Sequence, residues 1–301
     1  MKTKGFSFDL PEHLIAQRPP AERGSCRLML VDRSREAVEH HRMPELPSLL
    51  PADSVLVLND SKVRKARLYG TSETGGRVEF LLISPSTPER WMAVVSKAKK
   101  RRPGSRYHFP GDVAGEIERD EGPYKLVRFT RPIDDEYLDA HGHVPLPPYI
   151  HRADTASDSE RYQTVYADRI GSAAAPTAGL HFTPELLDAA ERRGIDVVRL
   201  TLHVGIGTFL PIRSEHVEDH TMHREYYEVP SDGAEAVNRA LEEGRQVVAV
   251  GTTTVRTLES AGASGVVEPG TGWTDLYIYP GYRFRVVSSM FTNFHTPESS
   301  L

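Results

Sequence analysis

Val247-Val-Ala-Val-Gly-Thr-Thr-Thr-Val-Arg256 reads as a short buried strand, a glycine turn and the start of a helix. Four consecutive apolar residues suit a strand covered on both faces, as in a parallel sheet. The segments before it repeat that alternation. Thr183-Pro184-Glu185 carries an N-cap hydroxyl, a first-turn proline and an acidic first turn. The helix it opens runs through Leu186, Leu187 and Ala190 and stops at Gly194. A strand is expected over Ile195–Val204, then a helix capped by Ser231 that reaches Gly244, and after the quoted strand a helix near Val255–Ala261. Alternation of this kind predicts a mostly parallel sheet with helices packed against it. Cys26–Asp32 and Ser54–Asn59 are short apolar runs that read as two further buried strands.

Residues 61–155 have a different pattern. Gly75-Gly76, Pro103-Gly104, Pro110-Gly111 and Gly122-Pro123 are turn signals. Between them lie strand-like runs at Arg77–Ile83, Trp91–Val95 and Tyr124–Phe129. Short strands so spaced predict a small β-barrel. Gly142–Tyr149, rich in proline, leaves it in an extended conformation. The expected fold class is therefore α/β. A discontinuous α/β domain (residues 1–60 and 156–301) carries a mostly parallel sheet, and a β-barrel domain (residues 61–155) is inserted into it.

Several function classes drop out on composition. The 301 residues are 39% hydrophobic and 26% charged, as in ordinary globular proteins. No run of about 18 apolar residues offers a transmembrane helix, and no apolar stretch follows Met1-Lys-Thr-Lys as a secretory leader requires. Cys26 is the single cysteine, so there is no internal disulfide and no cysteine-based metal site. A cytoplasmic protein with no membrane association is expected. Net charge is −5, so a polyanionic partner would have to be met by a local basic patch. Lys62, Arg64, Lys65 and Arg67 form one run; Lys97, Lys99, Lys100, Arg101 and Arg102 form another. Each reads either as a solvated face or as a track for phosphates.

Four segments carry chemistry. Gly171–Thr183 is small and apolar until His181, and leads into a helix, so a ligand can approach its backbone closely. His181 is then set for proton transfer, or is an ordinary hydrogen-bonded histidine. Gly251–Arg256 would lie outside the carboxyl end of a strand, where parallel sheets bind ligands. Its threonines supply hydroxyls, and Arg256 can fork onto a carboxylate or phosphate. Leu202–Phe209 contains Gly205 and Gly207 but leucine at position 210, which rules out a dinucleotide fingerprint. His216, Glu218, His220, His223 and Glu225 are crowded, yet their spacing is not a zincin pattern, and hydrogen bonding in a cleft is the expected use. The aromatic run Tyr277–Arg283 reads as strand-like, its rings serving either to stack on a nucleobase or to fill a core.

Together these segments resemble one family. Phe8-Asp-Leu-Pro, Ile15-Ala-Gln17, Glu160–Ala167, Pro176–Thr183 and Leu202–Phe209 match its pattern. So do His220–Glu225, Val248–Ser260, Gly272–Arg285 and Thr292–Leu301. The family is the S-adenosylmethionine:tRNA ribosyltransferase-isomerases of the queuosine pathway (QueA), and the resemblance covers nearly the whole chain. It implies that S-adenosylmethionine serves as a ribosyl donor. The acceptor is 7-aminomethyl-7-deazaguanine at the tRNA wobble position, and the products are epoxyqueuosine-tRNA, adenine and methionine. It also implies no metal or other cofactor, with S-adenosylmethionine as co-substrate.

The site residues that follow from the resemblance are these. His181 or His203 would be the base, the other donating a proton, with Glu225 counted beside them as catalytic. Arg256, Thr252 and Thr253 would hold the methionine carboxylate, and Glu225 or Asp275 the ammonium. Tyr279 and Phe182 would flank a base. Thr177, Gly179, Gly251, Asn293 and His295 complete the substrate-binding set. Lys62, Arg64 and the run Lys97, Lys99, Lys100, Arg101, Arg102 would contact tRNA. The chain is expected to act as a monomer.

Two departures from the family pattern stand out. Asp60 occupies a position where the family more often has asparagine, adding a negative charge. Family members also continue past the position of Leu301, so a chain cut short at its C-terminus is expected. The competing reading is then a non-catalytic tRNA-binding relative inactivated by that loss. An S-adenosylmethionine-dependent methyltransferase is a further rival, but no glycine-rich loop follows the first strand.

Overall fold

The structure is a computed structural model that describes residues 1–205, 207 and 212–300. Ile206, Thr208 and Phe209 of the quoted glycine-containing motif lie outside the described residues. In chain order the strands are β1 (Arg27–Asp32), β2 (Ala37–Arg42), β3 (Val55–Asn59), β4 (Ser61–Val63), β5 (Arg67–Ser72), β6 (Arg77–Thr87), β7 (Arg90–Val95) and β8 (Arg106–Phe109). They continue with β9 (Val113–Glu121), β10 (Tyr124–Phe129), β11 (Arg169–Ser172), β12 (Asp196–Leu202), β13 (Glu225–Val229), β14 (Val247–Val250), β15 (Gly270–Thr274) and β16 (Ser289–Phe291). The helices are α1 (Leu46–Leu49), α2 (Asp135–His141), α3 (Asp158–Arg161), α4 (Pro184–Glu191), α5 (Ser231–Glu242) and α6 (Thr252–Ala261).

The chain divides into two compact units. The first comprises residues 1–62, 148–151 and 161–301, and the second residues 63–147 and 152–160. In the first, a six-stranded sheet runs in the order β15-β13-β12-β3-β14-β16. β12, β3, β14 and β16 are mutually parallel, while at one side β13 pairs antiparallel with both β12 and β15. The alternation of side chains divides the core in two. Val55, Val57, Val247 and Ala249 face α5 and α6, through Ala234, Val237, Val255 and Leu258. Leu56, Leu58, Val248 and Val250 face the other layer, with Met43, Leu46, Phe182 and Ala190. A strand buried on both faces must be apolar throughout, as β3 and β14 are.

The second unit is a closed antiparallel barrel in the order β10-β7-β6-β5-β8-β9. Aromatic rings fill it edge-to-face: Phe80 lies 4.9 Å from Tyr107 and 5.1 Å from Phe109, which is 5.3 Å from Phe129. Gly70 and Gly115 make room for these rings, since a Cβ on either would come within 2.9 Å of Phe109.

Three expectations are corrected here. Cys26–Asp32 is not a buried strand of the main sheet; β1 pairs only with β2. One face of that hairpin is open, leaving Met29 and Val31 38% and 54% exposed, while Leu28 packs inward. Ser231 does not cap α5 but is its first residue. The cap is Pro230, whose extended backbone precedes the helix and offers no side-chain acceptor. Finally, Tyr277–Arg283 is no strand: Pro280-Gly281 breaks it, and pairing ends with β15 at Thr274.

Candidate active site

Three of the four parallel strands of the α/β unit deliver their carboxyl ends to the wall of one cavity of about 720 Å³. Val204 follows β12, Gly251–Thr253 follow β14, and Thr292–Asn293 follow β16; all of these line it. β3 contributes through Asn59, whose buried amide donates to Thr253 Oγ1 at 3.2 Å and to the Leu202 carbonyl at 3.0 Å. Its Oδ1 accepts from the Ser61 and Leu202 amides. One side chain thus pins three strand ends and the first turn of α6. The remaining wall is mostly apolar and includes Phe8, Leu10, Ile15, Tyr149 and Ala174–Ala178. Its size suits a ligand of drug-like dimensions.

Gly251 caps α6 with φ +89°, a conformation that favours glycine, and no side chain caps the helix. The amides of Thr252, Thr253 and Thr254 therefore have no acceptor within the helix and form a positive end at the cavity. Thr253 is buried and Thr252 half-buried, both on the wall. His295 also lines it, and burial pushes its pKa down, so the imidazole is neutral near neutral pH.

His181 does not line the cavity but stands behind Asn293, which does. Its Nε2 lies 2.8 Å from Asn293 Oδ1, and its Nδ1 lies 3.1 Å from Cys26 Sγ. Burial pushes its pKa down, with Arg23 acting the same way and Asn293 opposing. His203 belongs to a different network. Its Nδ1 lies 3.0 Å from Ser61 Oγ, and its ring stacks on Tyr226 at 6.0 Å. Ser61 in turn meets Ser172, which accepts from the Val204 amide. The two histidines expected as an acid–base pair thus bond different groups, Ser61 in one case and Asn293 and Cys26 in the other.

Arg256, expected on the methionine carboxylate, bonds three protein groups. Its Nη1 bonds Glu225 Oε2, its Nε donates to the Leu276 carbonyl at 2.9 Å, and its Nη2 to the Thr274 carbonyl at 3.3 Å. Both partners are buried, at 4% exposure for Glu225 and 8% for Arg256. Glu225 also accepts from the Gly205 amide at 2.7 Å. Burial pushes its carboxyl upward, opposed by Arg256 and that amide. Each guanidinium nitrogen thus bonds a protein group, tying β13 to α6 and to the chain at the end of β15.

The other expected residues disperse. Thr177 and Asn293 are on the cavity wall, but Gly179 is packed beneath it, where a Cβ would sit 2.1 Å from Tyr166 Oη. Phe182 is core, 1% exposed, against Phe291 at 5.3 Å. Asp275 and Tyr279 are exposed and off the wall; Tyr279 leans on Tyr277. Arg64 is held by Asp135 at 2.6 Å and lies over Trp91, so it is not a free surface cation. Lys62, Lys97, Lys99, Lys100 and Arg102 are exposed, and Arg101 is half-buried. Among His216–Glu225, Glu218 pairs with the N-terminal amine, and His220 packs on Tyr277. No group of three His, Cys, Asp or Glu side chains converges as metal ligands among the described residues. Asp60 sits beside the site, accepting from Thr201 Oγ1 at 2.6 Å, and burial raises its pKa.

Sequence reasoning missed Cys26, Asn59 and the apolar wall from Phe8 to Ile15. Asn59 was within reach, because a polar residue closing a fully apolar strand needs partners at the strand's end.

Residues 3–301 match the family profile described as queuosine biosynthesis protein. An S-adenosylmethionine:tRNA ribosyltransferase-isomerase of Treponema denticola is 50% identical over 310 residues, covering 100% of this chain and 89% of the relative. One from Desulfitobacterium hafniense is 49% identical over 306 residues, with the same coverage of 100% and 89%. The crystal structure of S-adenosylmethionine tRNA ribosyltransferase from Thermotoga maritima aligns with a TM-score of 0.52 at 32% identity. It covers 98% of this chain and 86% of that one. With its parallel strand ends gathered on one cavity and its whole described length matched, the chain belongs to the queuosine biosynthesis protein family.

Proposed function

We propose that the chain is an S-adenosylmethionine:tRNA ribosyltransferase-isomerase. It transfers and isomerises the ribosyl moiety of S-adenosylmethionine onto 7-aminomethyl-7-deazaguanine at the wobble position of a tRNA. Epoxyqueuosine-tRNA is formed, and adenine and methionine are released. The observation that carries this reading is the cavity. It has the volume for the co-substrate, an apolar wall, and an uncapped helix end at Gly251–Thr253 suited to a carboxylate. The methionine carboxylate is assigned there, with the Thr252 and Thr253 hydroxyls beside it.

The sulfonium makes the C5′ hydrogens of the donor acidic, so the reaction begins with a general base. His295 takes that role in our reading. It lines the cavity, and burial keeps it neutral, ready to accept a proton. His203 and the Glu225–Arg256 pair hold the surrounding strands in place. Lys97, Lys99, Lys100 and Arg102 are assigned to tRNA phosphates. In this reading the reaction uses no metal and no cofactor beyond the co-substrate, and the enzyme acts as a cytoplasmic monomer.

Mass analysis of the tRNA nucleosides after incubation tests this. The expected product gains the epoxycyclopentane unit in step with methionine release. S-adenosylhomocysteine with a methylated tRNA would make the chain a methyltransferase instead.

A further inference from the structure

We propose that His181 is a positioning residue that fixes the Asn293 carboxamide, so that the Asn293 Nδ2 amide is the donor that reads an acceptor atom of the co-substrate. The proposal rests on the reading that S-adenosylmethionine occupies the cavity.

Hydrogen-bonding roles determine the arrangement. The Asn293 oxygen facing the ring can only accept, so His181 Nε2 must carry the proton across the 2.8 Å contact. Nδ1 is then the bare nitrogen, and it accepts from the Cys26 thiol at 3.1 Å. The second contact fixes the tautomer that the first requires. Burial raises the thiol's pKa and lowers the imidazole's, so thiol and imidazole both stay neutral, in the forms this relay needs. Phe291 packs edge-on against the imidazole at 6.1 Å and limits its rotation.

With its oxygen bound behind the wall, Asn293 offers the cavity its NH₂ group. That group has donors only. It favours a purine nitrogen or a ribose or carboxylate oxygen and rejects an ammonium. Polarisation through the imidazole N–H strengthens the amide as a donor. With both ring nitrogens engaged, His181 acts through Asn293 and not as the base.

The test is calorimetric binding of S-adenosylmethionine to the wild-type chain and to folded variants. Asn293→Asp replaces the donor with a charged acceptor, and affinity falls roughly tenfold to a hundredfold. His181→Asn has no N–H at the Nε2 position and weakens binding about fivefold or more. His181→Gln restores that N–H and recovers affinity to within about threefold of wild type. His181→Leu, close to glutamine in volume but without an N–H, binds as weakly as His181→Asn, an outcome that a packing role does not give. 5′-Methylthioadenosine, which lacks the amino-acid carboxylate, locates the acceptor: loss of its affinity in Asn293→Asp assigns the nucleoside, and loss confined to S-adenosylmethionine assigns the carboxylate. Equal binding by all variants overturns the proposal and leaves the proposed function standing. A folded wild-type chain that does not bind S-adenosylmethionine overturns both.

Discussion

Arg256 and Glu225 form a buried pair in which either partner alone is a stranded charge. Arg256→Met should cost roughly 3–5 kcal/mol of stability, and adding Glu225→Leu should recover most of it. Urea denaturation of the single and double variants checks this. A normal transition in Arg256→Met with weakened S-adenosylmethionine binding would return Arg256 to the ligand. His295 gives a prediction in pH. Its lowered pKa means the neutral base persists into more acidic solution, so kcat/KM should fall only below the ordinary imidazole value of about 6.5. His295→Gln should lose roughly a hundredfold or more in kcat. Asp158 gives one in stability: the Arg152 guanidinium and the Thr155 amide and hydroxyl hold its carboxyl at about 2. A depressed carboxyl stabilises the fold above its unfolded value, and the benefit is lost as pH falls toward about 2. Asp158→Asn should therefore cost about 2 kcal/mol at neutral pH and little in strong acid, by thermal melts across pH. Residue chemistry was only partly legible in the sequence. His181 and Arg256 stand out by type, but Cys26 is 155 positions from His181 and Glu225 is 31 from Arg256. Partners that distant are set by topology.

The turn from β14 into α6 joins element to site. Gly251 adopts φ +89°, and a Cβ there would meet nothing closer than Ala178 Cβ at 3.6 Å. Gly251→Ala should thus cost about 1–2 kcal/mol through backbone strain, without crowding. Binding of S-adenosylmethionine should weaken with it as the helix end shifts, measured by calorimetry beside the melts. Elements of this kind were the legible part. Thr183-Pro184 opened α4 as read, with the Thr183 hydroxyl accepting from Leu186 N, and Tyr124–Phe129 is a strand over that span. Legibility failed where an apolar run had no second layer. β1 has the composition of a buried strand, yet it lies in a two-stranded ribbon because its alternate residues face water. The rings of Tyr277 and Tyr279 suggested a strand, but Pro280 cannot donate to a ladder.

The whole molecule carries −5, so tRNA must find its cations locally. Replacing Lys97, Lys99, Lys100 and Arg102 with glutamine should weaken tRNA binding and reduce the slope of log K against log salt by roughly 3. An unchanged slope would move the phosphate track elsewhere. The α/β class and the barrel were readable from alternation and turn spacing, because those patterns follow from how sheets bury side chains. The gathering of three parallel strand ends on one cavity was not, since strand order is a property of the assembled sheet. The central claim concerns what that cavity does. The most direct test is adenine release from S-adenosylmethionine, with and without tRNA carrying 7-aminomethyl-7-deazaguanine. The account predicts adenine only when that tRNA is present, in proportion to modified tRNA. A folded chain that binds S-adenosylmethionine and that tRNA yet releases no adenine would contradict it.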